Sequence, residues 1–473
     1  MILTTVFTVF TAICAMWALL WRRLDQDSRR ALFVYTGAYL LTYVAGAILI
    51  GFSDGDVLAD HLKGNVVVPA ASDEPFRYWL LLLAPLVLTL PIVAAFQRRS
   101  ARRSSRGLQF QTGKVEFCLV ASVVVAAIAY SSGGSLPSLY TQADLSGLYG
   151  NYSGIVDSRL QLFDSLNARA FGLIYSALPA LCHVALFNAK QSGKKAWLTL
   201  FGVSSTIAGV YLAGTFQLAP LAVFGVALVA SAEQLGYIEL GGRRLVIVAA
   251  GLLAVTLLVN AVKSGEFEIE AAVMALIFRM PMAFPFYVTA FPDSIPFIGI
   301  DWTGPMLGRG VDPGTSFSMA QFVYPRSPIG SAMTAPAHVE AYAQGGVLYA
   351  MTTIVVIALF IAGVARVRQL ARRSAIWHAF YIQSLVMLYY LTQTSLRGVI
   401  WDSYGLYWSA LSLGGLAILS LKTQPSRPAV ASAAQDRRAT PVVDLRGSVP
   451  SSPYEDFGFG HDPTRLEVTG AEL

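Results

Sequence analysis

The chain has 473 residues, of which 55% are hydrophobic and only 13% charged, and its mean hydropathy is +0.57. Soluble domains carry about 25% charged residues. The apolar runs here are continuous and about 20 residues long rather than alternating, which excludes a soluble globular domain and an outer-membrane barrel. The net charge of +6 is no nucleic-acid signature, because in such a chain the placement of Lys and Arg across loops carries the information.

In chain order the sequence predicts an all-α polytopic membrane protein. About eleven transmembrane helices fall near 2–21, 31–52, 78–96, 115–131, 168–189, 196–213, 216–232, 245–262, 346–365, 376–394 and 399–421. The first run has no basic segment before it and is followed by Arg22 and Arg23, which reads as a retained helix with its N-terminus outside. Basic clusters recur in alternate loops: Arg22/Arg23/Arg29/Arg30, Arg98–Lys114, Lys190/Lys194/Lys195, Arg243/Arg244 and Arg366–Arg373. The positive-inside bias therefore predicts N-out and C-in. Cys14, Cys118 and Cys182 lie inside apolar runs at no metal or redox spacing and read as packing residues.

Residues 1–421 form the predicted bundle, with outer loops at 53–77, 133–167 and 264–345. The last is the dominant loop and precedes the ninth span. Within it, 271–291 is apolar enough to cross, yet carries Arg279, Pro281 and Pro285. Counting it as a span would put Arg366–Arg373 outside, so a reclined or re-entrant helix is predicted near 268–291. The tail 422–473 is polar and Pro-rich and reads as a disordered cytoplasmic segment. No internal repeat or inverted repeat of broken helices is visible, which weighs against a transporter.

Several chemistries are absent. There is no phosphate-binding Gly loop, no HExxH, no paired Cys motif and no dinucleotide fingerprint. No metal or cofactor is expected. Asp54, Asp56 and Asp60 have the oxygen-rich look of a cation site, but their neighbours His61-Leu-Lys63 make an ordinary solvated loop. The informative residues are outer-face arginines, which the positive-inside bias disfavours: Arg159, Arg279, Arg309, Arg326 and Arg397. A guanidinium forks two charge-assisted bonds onto a phosphate; the plain alternative is a side chain snorkelling to lipid head groups. The second feature is Pro336-Ala-His338-Val-Glu340-Ala-Tyr342-Ala-Gln-Gly-Gly346, just before the ninth span. Glu340 and His338 there can act as proton acceptors. Equally, a carboxylate at a helix start and a Tyr in the aromatic belt belong to an interfacial helix.

The plan of the chain resembles that of bacterial O-antigen and exopolysaccharide repeat-unit polymerases of the Wzy type. The likeness rests on the span number, the late outer loop, the outer arginines, Glu340-Ala-Tyr342-Ala-Gln-Gly-Gly346 leading into a span, and Ser395-Leu-Arg397-Gly. The resemblance implies a GT-C-like membrane glycosyltransferase of the cytoplasmic (inner) membrane. It would transfer a glycan from undecaprenyl diphosphate to the next lipid-linked repeat unit. The implied partners are that lipid-linked glycan, membrane lipids, a chain-length regulator and a flippase, with no nucleic acid. Glu340 is the first candidate base and His338 the second. Arg159, Arg279 and Arg397 would neutralise the diphosphate, Arg309 and Arg326 would help hold substrate, and Tyr342, Trp302 and Tyr324 would stack on sugars. The related ligases often carry His-Asn before a similar span; Val339 follows His338 here, which favours the polymerase. A flippase is the rival from another class, and few charges inside the spans weigh against it.

Overall fold

The computed structural model describes residues 2–52, 74–100, 114–130, 176–214, 218–239, 280–299, 314–323, 333–401 and 406–421, with isolated positions 251, 254 and 257. Among these the chain is helical throughout, with no strand. In order, the helices are α1 (Ile2–Trp21), α2 (Gln26–Phe52), α3 (Pro75–Ser100), α4 (Lys114–Tyr130), α5 (Leu178–Ser192), α6 (Lys195–Gly214) and α7 (Leu218–Gln234). They continue as α8 (Ala283–Ala290), α9 (Gly314–Val323), α10 (Ala337–Ala371), α11 (Ala375–Tyr390), α12 (Leu396–Trp401) and α13 (Leu406–Leu421).

Among the described residues four helical stretches are long and apolar enough to cross a bilayer: Gln26–Phe52, Pro75–Gln97, Lys195–Ala213 and Ala337–Ala371. Shorter apolar helices cover Phe10–Trp21, Phe117–Ala127, Pro220–Gln234 and Ser409–Ile418. Phe33, Leu41, Phe76, Leu348 and Ile418 stand exposed on helix surfaces. Water penalises such an outward apolar face and lipid tails do not. The chain is a membrane-embedded helical protein. Most of the 245–262 run, the loop 133–167 and the tail 422–473 lie outside the described residues, as does 268–279 of the expected reclined helix. Its continuation is a turn and the short buried helix α8.

The centre of the bundle is α10, packed on α2, α3 and α11. Helices α3 and α10 run parallel. His338 near the start of α10 meets Leu81 near the start of α3, and Arg366 near the end of α10 donates to the Phe96 carbonyl at 3.3 Å. One end of the bundle is basic: there Arg368 pairs with Asp27, Arg30 lies 4.0 Å from Glu233, and Lys190 sits over the Tyr237 ring. The starts of α3 and α10 are at the opposite end.

Two sequence features shape this centre. Pro85 and Pro91 lie inside α3. Proline has no N–H, so Pro85 leaves the Leu81 carbonyl, four residues back, without its helical donor. His338 Nε2 takes that place at 3.0 Å. On α2, Tyr35, Tyr39 and Tyr43 recur every four residues and stack with centroids 6.2 Å apart, all fully buried. That spacing puts them on one helix face. Tyr39 meets the His338 ring edge-on at 5.5 Å.

Helix α10 is broken. Gly345 and Gly346 have non-helical backbone, and Gly346 has φ +77°. The break is a property of these two residues. Gly346 adopts a left-handed φ that side chains resist, and a Cβ there would sit 3.2 Å from Phe297. The break removes the donors that Ala343 and Gln344 carbonyls would have found one turn on. Ile298 and Gly299 N–H groups replace them, at 3.2 and 3.0 Å. Broken helices in membrane proteins need such replacement of freed backbone partners from inside the protein. The sequence reading started the ninth span at residue 346. The helix begins earlier, at Ala337, and breaks at Gly345–Gly346, so 337–344 is a half-helix just ahead of the position where the sequence places the span.

Candidate functional site

The first half of α10, residues 337–344, anchors the site. Pro336 precedes it and starts it, with its carbonyl accepting from Val339 and Glu340 N–H. Glu340 lies in the first turn, where the positive end of the helix favours a carboxylate. The side chain is 3% exposed. Its Oε2 accepts from Thr315 Oγ1 of α9 at 2.9 Å, and its Oε1 accepts from the Ala335 N–H at 3.3 Å. Thus one buried carboxylate joins α9, the 333–336 segment and α10. The surrounding wall is apolar and aromatic, and includes Tyr43, Phe284 and Tyr287. Tyr43 and Tyr287 turn their hydroxyls to the carbonyls of Thr334 and Met333, at 3.3 and 2.8 Å, so the same segment is tethered from two sides.

His338 is fully buried. A carbonyl can only accept, so the contact with Leu81 fixes Nε2 as the protonated nitrogen, with Tyr39 Oη further off at 3.4 Å. His338 therefore has a structural task, and Nδ1, buried without a partner, is the ring atom left for proton exchange. Tyr342 is 2% exposed and donates to the Phe291 carbonyl at 2.8 Å, with its ring edge-on to Phe297. It holds the end of α8.

Arg397 opens α12. Its turn is capped by Ser395, whose Oγ accepts from the Gly398 N–H at 2.9 Å. The Ala337 N–H donates to the Leu391 carbonyl at 3.0 Å, and α12 packs on α10. The turn that carries Arg397 and the half-helix that carries Glu340 are thus joined at one end of the bundle. Arg397 is only 9% exposed and pairs with no carboxylate among the described residues. A guanidinium cannot shed its proton to ease burial, so its charge calls for an anion.

Arg159, Arg279, Arg309 and Arg326 lie outside the described residues, and so do Trp302, Tyr324, Asp54, Asp56 and Asp60. The structure adds residues that the sequence did not single out. Arg77, at the start of α3, pairs with Asp293 at 3.1 Å and Glu74 at 3.5 Å beside the α8 end. It bore the same signal as the other outer arginines but stood at the edge of a predicted span. Thr315 carried no sequence signal, because only the fold brings it to Glu340. No group of three or more His, Cys, Asp or Glu suited to a metal occurs among the described residues. One cavity of about 40 Å³, lined in part by Ser176, Phe224, Gln383 and Tyr390, has room for a water or two and not for a sugar.

Comparisons with family models, curated proteins and solved structures found no match for this chain.

Proposed function

We propose that the chain is a glycosyltransferase with a GT-C-like bundle of about eleven spans. In this reading it polymerises undecaprenyl-diphosphate-linked oligosaccharide repeat units on the outer face of a bacterial cytoplasmic membrane, N-terminus outside and C-terminus inside. The observation that carries the reading is that one end of the bundle holds two buried charges of opposite sign on elements packed against each other. Glu340 is a carboxylate held by two donors, and Arg397 is a nearly buried cation without a carboxylate partner among the described residues. That end lies opposite the basic end, as an outer site requires under the positive-inside rule.

The chemistry assigned to these residues is a displacement. The acceptor hydroxyl gives its proton to Glu340 as its oxygen bonds to the anomeric carbon. The bond from that carbon to the diphosphate oxygen breaks, and the lipid diphosphate leaves with the electron pair. Arg397, joined by Arg279 and Arg159, neutralises the developing charge; Arg309 and Arg326 hold the incoming substrate. His338 supports the half-helix that carries Glu340. A chain-length regulator and a flippase are the partners such a reaction calls for.

One observation favours a second reading. Helix α10 is discontinuous at Gly345–Gly346, and transporters bind substrate at such breaks. A flippase for lipid-linked glycans would use the same end of the bundle as a docking site. Purified protein incubated with lipid-diphosphate-linked repeat units, with EDTA and no nucleotide sugar, separates the two. Polymerase activity gives a ladder of longer lipid-linked glycans. Movement of the unit across a vesicle membrane without a ladder identifies the flippase.

A further inference from the structure

The basic end of the bundle holds a second built feature, remote from Glu340. A cavity of about 150 Å³ lies between the last turns of α5, α7 and α10 and the start of α11, lined by Phe187, Lys190, Gln191, Gln234, Arg372 and His378. At about 30 Å³ per water it has room for several waters or for one phosphate group.

Its rim and floor differ. Lys190 and Arg372 are exposed cations at the rim and pair with no carboxylate among the described residues. Of the carboxylates at this end, Asp27 and Glu233 are matched with Arg368 and Arg30, Asp25 accepts from the Ser28 N–H, and Glu239 has a contact of its own. Lys190 is positioned by the Tyr237 ring, 4.6 Å from its Nζ, a contact that leaves its charge uncompensated.

The floor is polar and unsatisfied. His378 is fully buried; its Nε2 lies 2.7 Å from Ser231 Oγ and its Nδ1 has no partner. With the Ser231 hydroxyl donating to Nε2, the proton is on Nδ1, a buried donor. The Gln234 amide is buried as well, and neither its nitrogen nor its oxygen has a partner. Buried polar atoms without partners are costly, and a native structure keeps few of them. Two cations without a carboxylate partner among the described residues, above buried polar atoms of His378 and Gln234 that have no partner, make the arrangement that an anion would complete. Cations at helix C-termini alone would need no polar floor.

We infer that this cavity binds a phosphate group at the basic face of the bundle. Lys190 and Arg372 supply charge, and His378 Nδ1–H and the Gln234 amide supply hydrogen bonds from below. The group can be the headgroup of an anionic phospholipid or free phosphate. This inference is independent of the glycosyltransferase reading.

The test uses the full-length purified protein. Native mass spectrometry of protein from mixed phosphatidylglycerol and phosphatidylcholine micelles counts retained lipid. A parallel melting series without phosphatidylglycerol compares sodium phosphate with sodium chloride at equal ionic strength. Selective retention of phosphatidylglycerol assigns the site to a lipid headgroup, and a phosphate-specific rise in melting temperature without it assigns the site to free phosphate. In either case Lys190→Gln with Arg372→Gln weakens binding about tenfold or more. Gln234→Leu, which keeps every charge, weakens it too. Lys194→Gln with Arg373→Gln, at the same face but off the cavity wall, leaves it unchanged. Wild-type protein that shows neither preference overturns the inference. So does equal loss in the two charge-removing pairs with no effect of Gln234→Leu, since that marks diffuse surface charge.

Discussion

Burial turns each charge at the candidate site into a demand for a partner. Glu340 has found Thr315 and the Ala335 N–H, and Arg397 has no carboxylate among the described residues. Glu340→Gln keeps the shape and removes the charge. We expect the protein to fold, with a melting temperature near that of wild type, and polymerisation to fall about 10²–10³-fold or more. Arg397→Ala is expected to lose about 10²–10³-fold as well, because it removes a donor aimed at developing charge. Both are read from initial rates of ladder formation. His338 calls for a different measurement. Its substitution by Phe strands the Leu81 carbonyl freed by Pro85, at about 1–3 kcal/mol in a thermal or denaturant unfolding experiment. A His338→Phe protein as stable as wild type would remove the structural role.

At the scale of elements, the sequence revealed periodicity and hid connectivity. The runs near 31–52, 78–96 and 196–213 appear as Gln26–Phe52, Pro75–Gln97 and Lys195–Ala213, because sustained hydropathy over about 20 residues has no competing explanation. The burial of the half-helix 337–344 was hidden for a physical reason. His338 and Glu340 read equally well as part of an interfacial helix, yet the fold buries both by matching them with a carbonyl, a hydroxyl and an N–H. The His338–Leu81 pairing joins residues 257 positions apart, and no local pattern announces it. The Gly345–Gly346 pair was legible as a motif but not as a break. Gly346→Ala forces a Cβ into a left-handed backbone and against Phe297. We expect a loss of about 1–2 kcal/mol or more in unfolding experiments, with reduced activity, since the half-helix loses its angle.

Across the whole molecule, charge placement divides the bundle into two ends. The basic end is tied by the pair of buried Arg368 with half-buried Asp27, and the opposite end carries Glu340, Arg77 and Arg397. The alternation of basic loops made this division readable from sequence alone. The ion pair itself was not readable, because Asp27 and Arg368 are 341 residues apart. Asp27→Asn leaves a nearly buried guanidinium unpaired and is expected to cost about 3–5 kcal/mol. Adding Arg368→Met should recover much of it, as it removes the guanidinium that would otherwise stay nearly buried and unpaired. Orientation is open to direct labelling. A single cysteine at Asp293 should react with an impermeant thiol reagent from outside intact cells, and one at Lys194 should not. The reverse pattern would put the Glu340 end in the cytoplasm and end the outer-face reading.

The most direct test of the account compares wild type with Glu340→Gln, both purified and of matched melting temperature. Each is incubated with lipid-diphosphate-linked repeat units in EDTA without nucleotide sugar. The account predicts a ladder of lipid-linked glycans from wild type and almost none from Glu340→Gln. An equal ladder from both would contradict Glu340 as the base, and no ladder from wild type across repeat units from its own host would contradict polymerisation itself.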